Sequence, residues 1–359
     1  MKSESILRYQ LPAYYNKLPQ KSTQSENKHA MKPLTFTILR MLSDGNYHSG
    51  TTLGEALQVS RTSISNALHD LEQYGLVIHR VTGKGYRWLN PIQWLNLDQV
   101  RNYLGEQADN FQLTLTEYVD STNSILMQRA TEPVFSSHDQ FTVLVTEFQS
   151  NGRGRRGRTW LSGLGDSLTF SILWSSPCTM QALGGLSLAV GVAIARSLAT
   201  MGIPDISLKW PNDILHHFHK LGGVLIELHG DMLSPVRVVI GIGININMTD
   251  PVKHQIDQEV IDLASIVQSV PDRNQLLAIL LLELMKIFHL FAQYGFAPLR
   301  EEWISYHAYH HQPVRIDFPD GSRKQGIVSD VAGDGALQLN TSTGQLQLRS
   351  GELSLRRLL

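Results

Sequence analysis

Gly152-Arg153-Gly154-Arg155-Arg156-Gly157-Arg158-Thr159-Trp160 places four arginines and three glycines within its first seven residues. That composition suits neither helix nor strand, because glycine loses too much conformational entropy in either. Four adjacent like charges also repel one another. The stretch therefore reads as a loop that stays mobile until something strongly anionic arrives. Guanidinium forks match phosphate geometry, and glycine lets backbone N–H groups come close. Closure over phosphates is the expectation. Gly152-x-Gly154-x-x-Gly157 also fits the dinucleotide-binding fingerprint, but that motif needs neutral intervening residues and an apolar helix start. Here the intervening residues are all Arg, and Trp160 to Gly165 does not open a helix. A solvated basic loop, or one that only touches nucleic acid, is the remaining alternative.

Working outward, Phe141 to Phe148 is a predicted strand that feeds the loop, and Ser167 to Trp174 is a strand that leaves it. Leu113 to Val119 alternates as a half-buried strand. Asp120-Ser121-Thr122-Asn123 then caps a predicted helix, Ser124 to Arg129. Leu183 to Met201 reads as a buried helix and Gln275 to Tyr294 as a long amphipathic one. Lys209-Trp210-Pro211-Asn212-Asp213 combines a cation, an aromatic ring, a rigid turn and two oxygen-bearing side chains. Asp213 is the candidate ligand for Mg²⁺. Lys220 to Glu227 and Val236 to Asn247 alternate as strands. In the second, Gly241 and Gly243 share one face, as happens where a ligand lies against the backbone. Most connections are too short for parallel crossovers, so the class is α+β, one mixed sheet with helices packed against it.

The flanks differ in character. Residues 1–30 are polar, with Pro12 and Pro19, and read as a disordered tail. From Pro33, Leu34, Ile38, Leu39 and Leu42 recur at helical spacing. Ser49 to Leu57 and Arg61 to Glu72 make two further helices around a short turn, and Leu76 to Trp88 makes two strands joined at Gly83-Lys84-Gly85. This is a winged helix-turn-helix pattern, with Arg61, Ser63, Asn66 and Lys84 as the candidate DNA contacts. The last fifty residues hold short strands between Gly-rich turns and predict a small β-barrel.

The chain has 359 residues and a net charge of −1, so its basic loop is a local feature of a near-neutral protein. The length suggests more than one domain. A single cysteine, Cys178, excludes an internal disulfide framework. It has no activating neighbour in sequence and reads as structural. No apolar run reaches membrane-spanning length and no signal peptide is seen, so a cytoplasmic location is expected.

Five segments occur in order: Asp-Ser-Thr-Asn at 120–123; Gln149 with Gly152 to Arg158 and Trp160; Lys-Trp-Pro-Asn-Asp at 209–213; Lys-Leu-x-Gly-Val-Leu-x-Glu at 220–227; and Gly-x-Gly-x-Asn at 241–245. Together they resemble the biotin–protein ligases (biotin–acetyl-CoA-carboxylase ligases). The winged helix makes the chain similar to the bifunctional bacterial type, which also represses the biotin operon. The resemblance spans 31–359 and departs at Asn151, where the family usually has a small residue.

It implies a winged helix at 31–95, a class II synthetase-like ligase domain at 96–308 and an SH3-like barrel at 309–359. It implies ATP and biotin as substrates with Mg²⁺, and biotin carboxyl carrier protein of acetyl-CoA carboxylase as acceptor. Operator DNA and a homodimer formed on adenylate binding follow from the same likeness. By similarity Lys209 bridges the biotin carboxylate and the α-phosphate, with Arg155 and Arg158 beside it. Ser121, Thr122, Asn123, Gln149, Gly152, Arg153 and Gly241 hold biotin. Trp160 stacks on adenine, Asn245 reads its edge, and Asn212 and Arg356 reach the nucleotide. Lipoate–protein ligase, which shares the fold, and a non-catalytic ligand sensor are the rival readings.

Overall fold

A computed structural model describes residues 31–69, 71–132, 140–230, 236–318, 320–349 and 353–358. The expected tail at 1–30 lies outside these residues. Three helices open the described chain: α1 (Pro33–Met41), α2 (Gly50–Leu57) and α3 (Arg61–Ala67). Serines set two of the starts. Ser49 accepts from Thr52 N and Ser60 accepts from Ser63 N, each satisfying an orphan donor of the first turn. The third helix ends at Ala67, short of the expected Glu72, and a 3-10 turn at Leu71–Tyr74 follows. β1 (Ile78–Val81) and β2 (Gly85–Trp88) pair antiparallel as the wing. Phe36, Leu39, Leu53, Ile64 and Trp88 bury together, and Phe148 and Leu164 from later in the chain join the same cluster.

After α4 (Leu97–Leu104), β3 (Phe111–Val119), α5 (Thr122–Ala130) and β4 (Phe141–Gln149) form a parallel crossover unit. The basic stretch follows as a hairpin, β5 (Gly152–Arg153) and β6 (Thr159–Trp160). Then come β7 (Ser167–Ser176), α6 (Leu186–Thr200), β8 (Ile206–Lys209), β9 (Asp213–His216), β10 (His219–His229) and β11 (Val236–Asn245). The seven-stranded sheet has the order β3-β4-β7-β11-β10-β9-β8. Only β3 and β4 run parallel; the other neighbours are antiparallel.

The pleat of β11 sorts its residues. Val238, Ile240, Ile242 and Ile244 belong to the main core, whereas Val239 packs in a separate small cluster with Leu126, Leu144 and Leu173. Gly241, Gly243 and Asn245 share the parity of Val239 and line a cavity instead.

α7 (Asp250–His254), α8 (Arg273–Tyr294) and α9 (Arg300–Tyr306) complete the helices. Among the described residues α8 is the one helix long and apolar enough to cross a membrane, which the sequence reading did not anticipate. Leu277, Leu281, Leu284, Phe288 and Phe291 are buried in the main core, so it serves here as a core helix. β12 (Pro313–Asp317), β13 (Arg323–Val331), β14 (Leu337–Thr341), β15 (Gly344–Leu348) and β16 (Ser354–Arg357) form an antiparallel sheet in the order β15-β14-β13-β12-β16. Where an SH3-like barrel is expected, the described residues show this small antiparallel sheet. Its end strands are not hydrogen-bonded to each other among the described residues, because the short β16 pairs only with β12.

One buried ion pair ties these parts together. Arg273 Nη1 lies 2.8 Å from Glu147 Oε2, with 2% and 0% of the two side chains exposed. Glu147 Oε1 accepts from Leu95 N at 2.6 Å, and Arg273 donates to Gln93 O and Ser167 O. Both Glu147 oxygens and both terminal nitrogens of Arg273 have partners, while Arg273 Nε is buried without one among the described residues; partners for most of its strong groups are what let a buried charge persist. Glu147→Ala leaves the guanidinium buried without its counter-charge. Its unfolding free energy is expected to fall by about 3–5 kcal/mol, read from urea denaturation.

Candidate active site

The residues singled out in the sequence converge on one cavity of about 570 Å³. Ser121, Thr122, Asn123, Gln149, Arg153, Arg155, Arg158, Trp160, Lys209, Asn212, Asp213, Gly241, Asn245 and Arg356 all line it. Gly152 does not, but it stands immediately behind. A Cβ there would sit 2.4 Å from Trp160 O and 2.9 Å from Gln149 Nε2, so the hairpin closes only with glycine.

The floor is polar and closely bonded. Ser121 caps α5 by accepting from Ser124 N. Gln149 Oε1 accepts from Thr122 N at 2.8 Å and from Thr122 Oγ1 at 3.0 Å. Ser171 Oγ, which sequence reading missed, lies 2.6 Å from Asn123 Oδ1 and 2.7 Å from Thr122 Oγ1. Both glycines of β11 are required by close approach. A Cβ at 241 would meet Asn123 Oδ1 at 2.2 Å, and one at 243 would meet the Trp160 ring at 2.5 Å. The indole Nε1 of Trp160 is buried without an acceptor among the described residues.

The basic stretch differs from the mobile coil that its composition predicted. Gly152 pairs with Trp160 and Arg153 with Thr159, and Gly154 N donates to Arg158 O at 2.7 Å. Arg156 takes a left-handed φ of 59° and Gly157 one of 68°, which turns the chain at the crest. Two arginines are anchored, Arg153 to Glu227 at 2.5 Å and Arg155 Nη1 to Asn212 Oδ1 at 3.2 Å. These bonds and the short ladder offset the mutual repulsion. Burial, with Arg156 and Arg158 nearby, pulls the Arg155 pKa down against the opposing pull of Asp213.

A second cationic group lines the same cavity. Asp213 Oδ1 is 2.8 Å from Lys220 Nζ, and Asp213 Oδ2 is 3.6 Å from Lys209 Nζ. Burial alone would raise the Asp213 carboxyl, but Lys220 and Lys209 hold it below the usual carboxylate range. Burial lowers the Lys209 ammonium, with Lys220 and Arg356 adding to that and Asp213 opposing it. Lys220 stands in one of the five sequence segments, but no local pattern gives it a role. Its place became visible only when β9 and β10 paired.

The candidate metal ligand Asp213 has other partners here. Asp213 serves as counter-ion to two lysines, so its oxygens already face ammonium groups. No cluster of three or more His, Cys, Asp or Glu side chains among the described residues could hold a metal.

Two nucleotide candidates also prove more engaged than expected. Asn212 Nδ2 donates to Val224 O at 2.8 Å while its Oδ1 takes Arg155. Asn245 Nδ2 donates to Ile261 O at 3.0 Å and approaches Lys220 O at 3.3 Å. Trp210 of the same turn as Lys209 is buried away from solvent, its Nε1 donating at 3.0 Å to Gly335 O in the turn between β13 and β14. At the winged helix, Arg61, Asn66 and Lys84 are exposed, whereas the Ser63 hydroxyl bonds Ser60 Oγ at 2.9 Å within the cap.

A polar floor, an arginine hairpin and a lysine pair around one cavity, on a mixed sheet behind a winged helix, define a ligase of the biotin/lipoate type. The Biotin/lipoate A/B protein ligase family matches residues 115–245, and an HTH domain matches residues 35–87. The bifunctional ligase/repressor BirA of Escherichia coli is 35% identical over 319 residues, covering 89% of this chain and 96% of that protein. The Bacillus subtilis protein of the same name is 26% identical over 311 residues, covering 86% and 93%. The solved biotin protein ligase from Aquifex aeolicus in complex with biotin and ATP is 30% identical with a TM-score of 0.59, covering 68% of this chain and 99% of that one. The chain belongs to the bifunctional ligase/repressor family of biotin–[acetyl-CoA-carboxylase] ligases.

Gly243→Ala is expected to push the Trp160 ring out of its seat and into water. The check is the Trp160 emission, taken as the difference between each protein and its W160F counterpart, which is expected to be red-shifted in Gly243→Ala relative to wild type.

Proposed function

We propose that the chain activates biotin as biotinyl-5′-AMP and transfers it to a lysine of a biotin carboxyl carrier protein. The observation that carries this reading is that two cationic groups, the hairpin arginines and the Lys209–Asp213–Lys220 cluster, line one cavity together with a neutral hydrogen-bonding floor. A neutral floor suits the ureido ring, and cations suit a carboxylate meeting a phosphate. In the first step a biotin carboxylate oxygen bonds the α-phosphorus of ATP, and the bond to pyrophosphate breaks. In the second an acceptor amine attacks the acyl carbon, the acyl–phosphate bond breaks, and AMP leaves with the electron pair.

Both partners in the first step are anions, so the barrier is electrostatic and fixed positive charge lowers it. Lys209 and Lys220 bind the carboxylate and α-phosphate, and Arg155 and Arg158 neutralise the phosphates. Thr122, Asn123, Gln149 and the Gly241 backbone orient the ureido ring. Trp160 covers the adenine, and Asn245, its N–H₂ committed to protein carbonyls, offers only its oxygen there. Arg356 meets the nucleotide from the C-terminal sheet. Closing the hairpin keeps water from the mixed anhydride.

Lys209→Ala and Lys220→Ala are each expected to lower the rate of pyrophosphate release by at least about a hundredfold, the scale of losing one preorganised charge, with folding retained. Biotin-dependent pyrophosphate release, with adenylate identified by mass spectrometry, measures this. Activity at the wild-type rate in both variants would defeat the assignment, and lipoate outcompeting biotin would favour the lipoate class.

The same reading makes residues 31–95 a DNA-binding domain, 96–308 the ligase and 309–359 a C-terminal domain, in a cytoplasmic protein. It makes the chain a repressor of biotin biosynthesis that pairs as a homodimer when the adenylate is bound, since two winged helices are needed to span a palindromic operator. Arg61, Asn66 and Lys84 would meet the DNA. Sedimentation of the full chain with biotin and ATP is expected to show a doubled mass at micromolar protein. An unchanged mass would remove the dimer from this account.

A further inference from the structure

Glu227 on β10 faces the cavity's edge without lining it, and its carboxylate is divided between two groups that do. Oε1 takes Arg153 Nη2 at 2.5 Å, and Oε2 takes Asn123 Nδ2 at 3.0 Å. Arg153 Nη1 also reaches Ser124 Oγ at 3.2 Å. The Asn123 amide is thereby given a direction. Its N–H₂ points at the carboxylate and at Leu225 O, so its Oδ1 accepts from Ser171 Oγ at 2.6 Å. Ser171 in turn touches Thr122, whose hydroxyl donates to Gln149. The chain of bonds runs from the stem of the arginine hairpin to Ser171, whose oxygen packs 2.7 Å from that of Thr122. Its one anion is Glu227.

We propose that Glu227 is a positioning residue for biotin, seating Arg153 at the hairpin stem and fixing the donor–acceptor polarity of the floor through Asn123. This rests on the reading of the cavity as a biotin site. A carboxylate is acceptor-only, so it can serve a guanidinium and an amide N–H₂ together. A glutamine of the same shape cannot. Its own N–H₂ must face Arg153 or Asn123, donor against donor, unless the Asn123 amide turns over. Turning it puts an N–H₂ where Ser171 now donates and reverses the polarity that the ureido ring would meet. A site built on buried polar groups discriminates through such pairings.

The test is steady-state pyrophosphate release by the full chain, with the Michaelis constants for biotin and ATP measured separately. Glu227→Gln is expected to raise KM for biotin by about tenfold or more, the scale of one lost charge-assisted hydrogen bond. KM for ATP and kcat are expected to stay within about threefold, since the nucleotide end is held by other residues. Glu227→Asp keeps the charge but not the reach, and is expected to fall between. A biotin KM within about twofold of wild type in Glu227→Gln, or a parallel rise for biotin and ATP, overturns the proposal. If Glu227→Gln does not fold, Glu227→Asp decides on the same criterion. A wild-type protein that releases no pyrophosphate with biotin overturns the biotin reading and this proposal with it. Normal wild-type turnover with an indifferent Glu227→Gln overturns this proposal alone.

Discussion

The Glu147–Arg273 pair fixes where the arginine hairpin begins and ends. β4 runs from Glu147 directly into Gln149 and the hairpin, and the chain returns at Ser167, whose carbonyl accepts from the same guanidinium. One charge pair therefore closes the loop between residues 147 and 167 at its base. It also holds the linker that descends from the wing, through Gln93 and Leu95. A closed base leaves only a short span to order over a ligand, which reduces the entropy that binding has to overcome. The arginines do not have to find one another from a free coil.

The cavity itself is electrostatically unfinished. Lys209, Lys220 and Arg155 are drawn out of water with Asp213 as their nearby carboxylate, and burial lowers the pKa of both Lys209 and Arg155. Such an excess of desolvated positive charge is costly in the empty protein. An anionic ligand relieves it, so part of the stability forgone on folding returns as affinity. The cost is tolerated because the sheet beneath is apolar on its other face, with Ile240, Ile242 and Ile244 fully within the core.

Local features were legible in the chain. Ser49, Ser60 and Ser121 act as the helix caps that their side chains suggest, and the glycines of β11 sit where the Asn123 and Trp160 side chains come close. What failed to read was pairing at a distance. Arg273 and Glu147 are 126 residues apart, and Trp210 and Gly335 are 125 apart, so no window of sequence relates them. The second lysine on Asp213, Lys220, comes from the neighbouring strand β10. Lys220, Ser171 and Glu227 were overlooked for the same reason: each matters through a neighbour across the sheet. The hairpin misled in another way. Its composition argued against strands, yet a few anchored bonds sufficed to impose a ladder on it.

Phe148 and Leu164 bury themselves among Phe36, Leu68 and Trp88, and Tyr74 meets Phe148 edge-on at 5.6 Å. Arg40 adds an ion pair to Glu117 and Trp94 a hydrogen bond to Ser43. The winged helix is thus not an appendage on a tether. Cutting the chain near residue 95 to produce the ligase portion alone would strip two apolar side chains of their cover. Anyone wanting that fragment as a soluble reagent has to redesign its surface at Phe148 and Leu164.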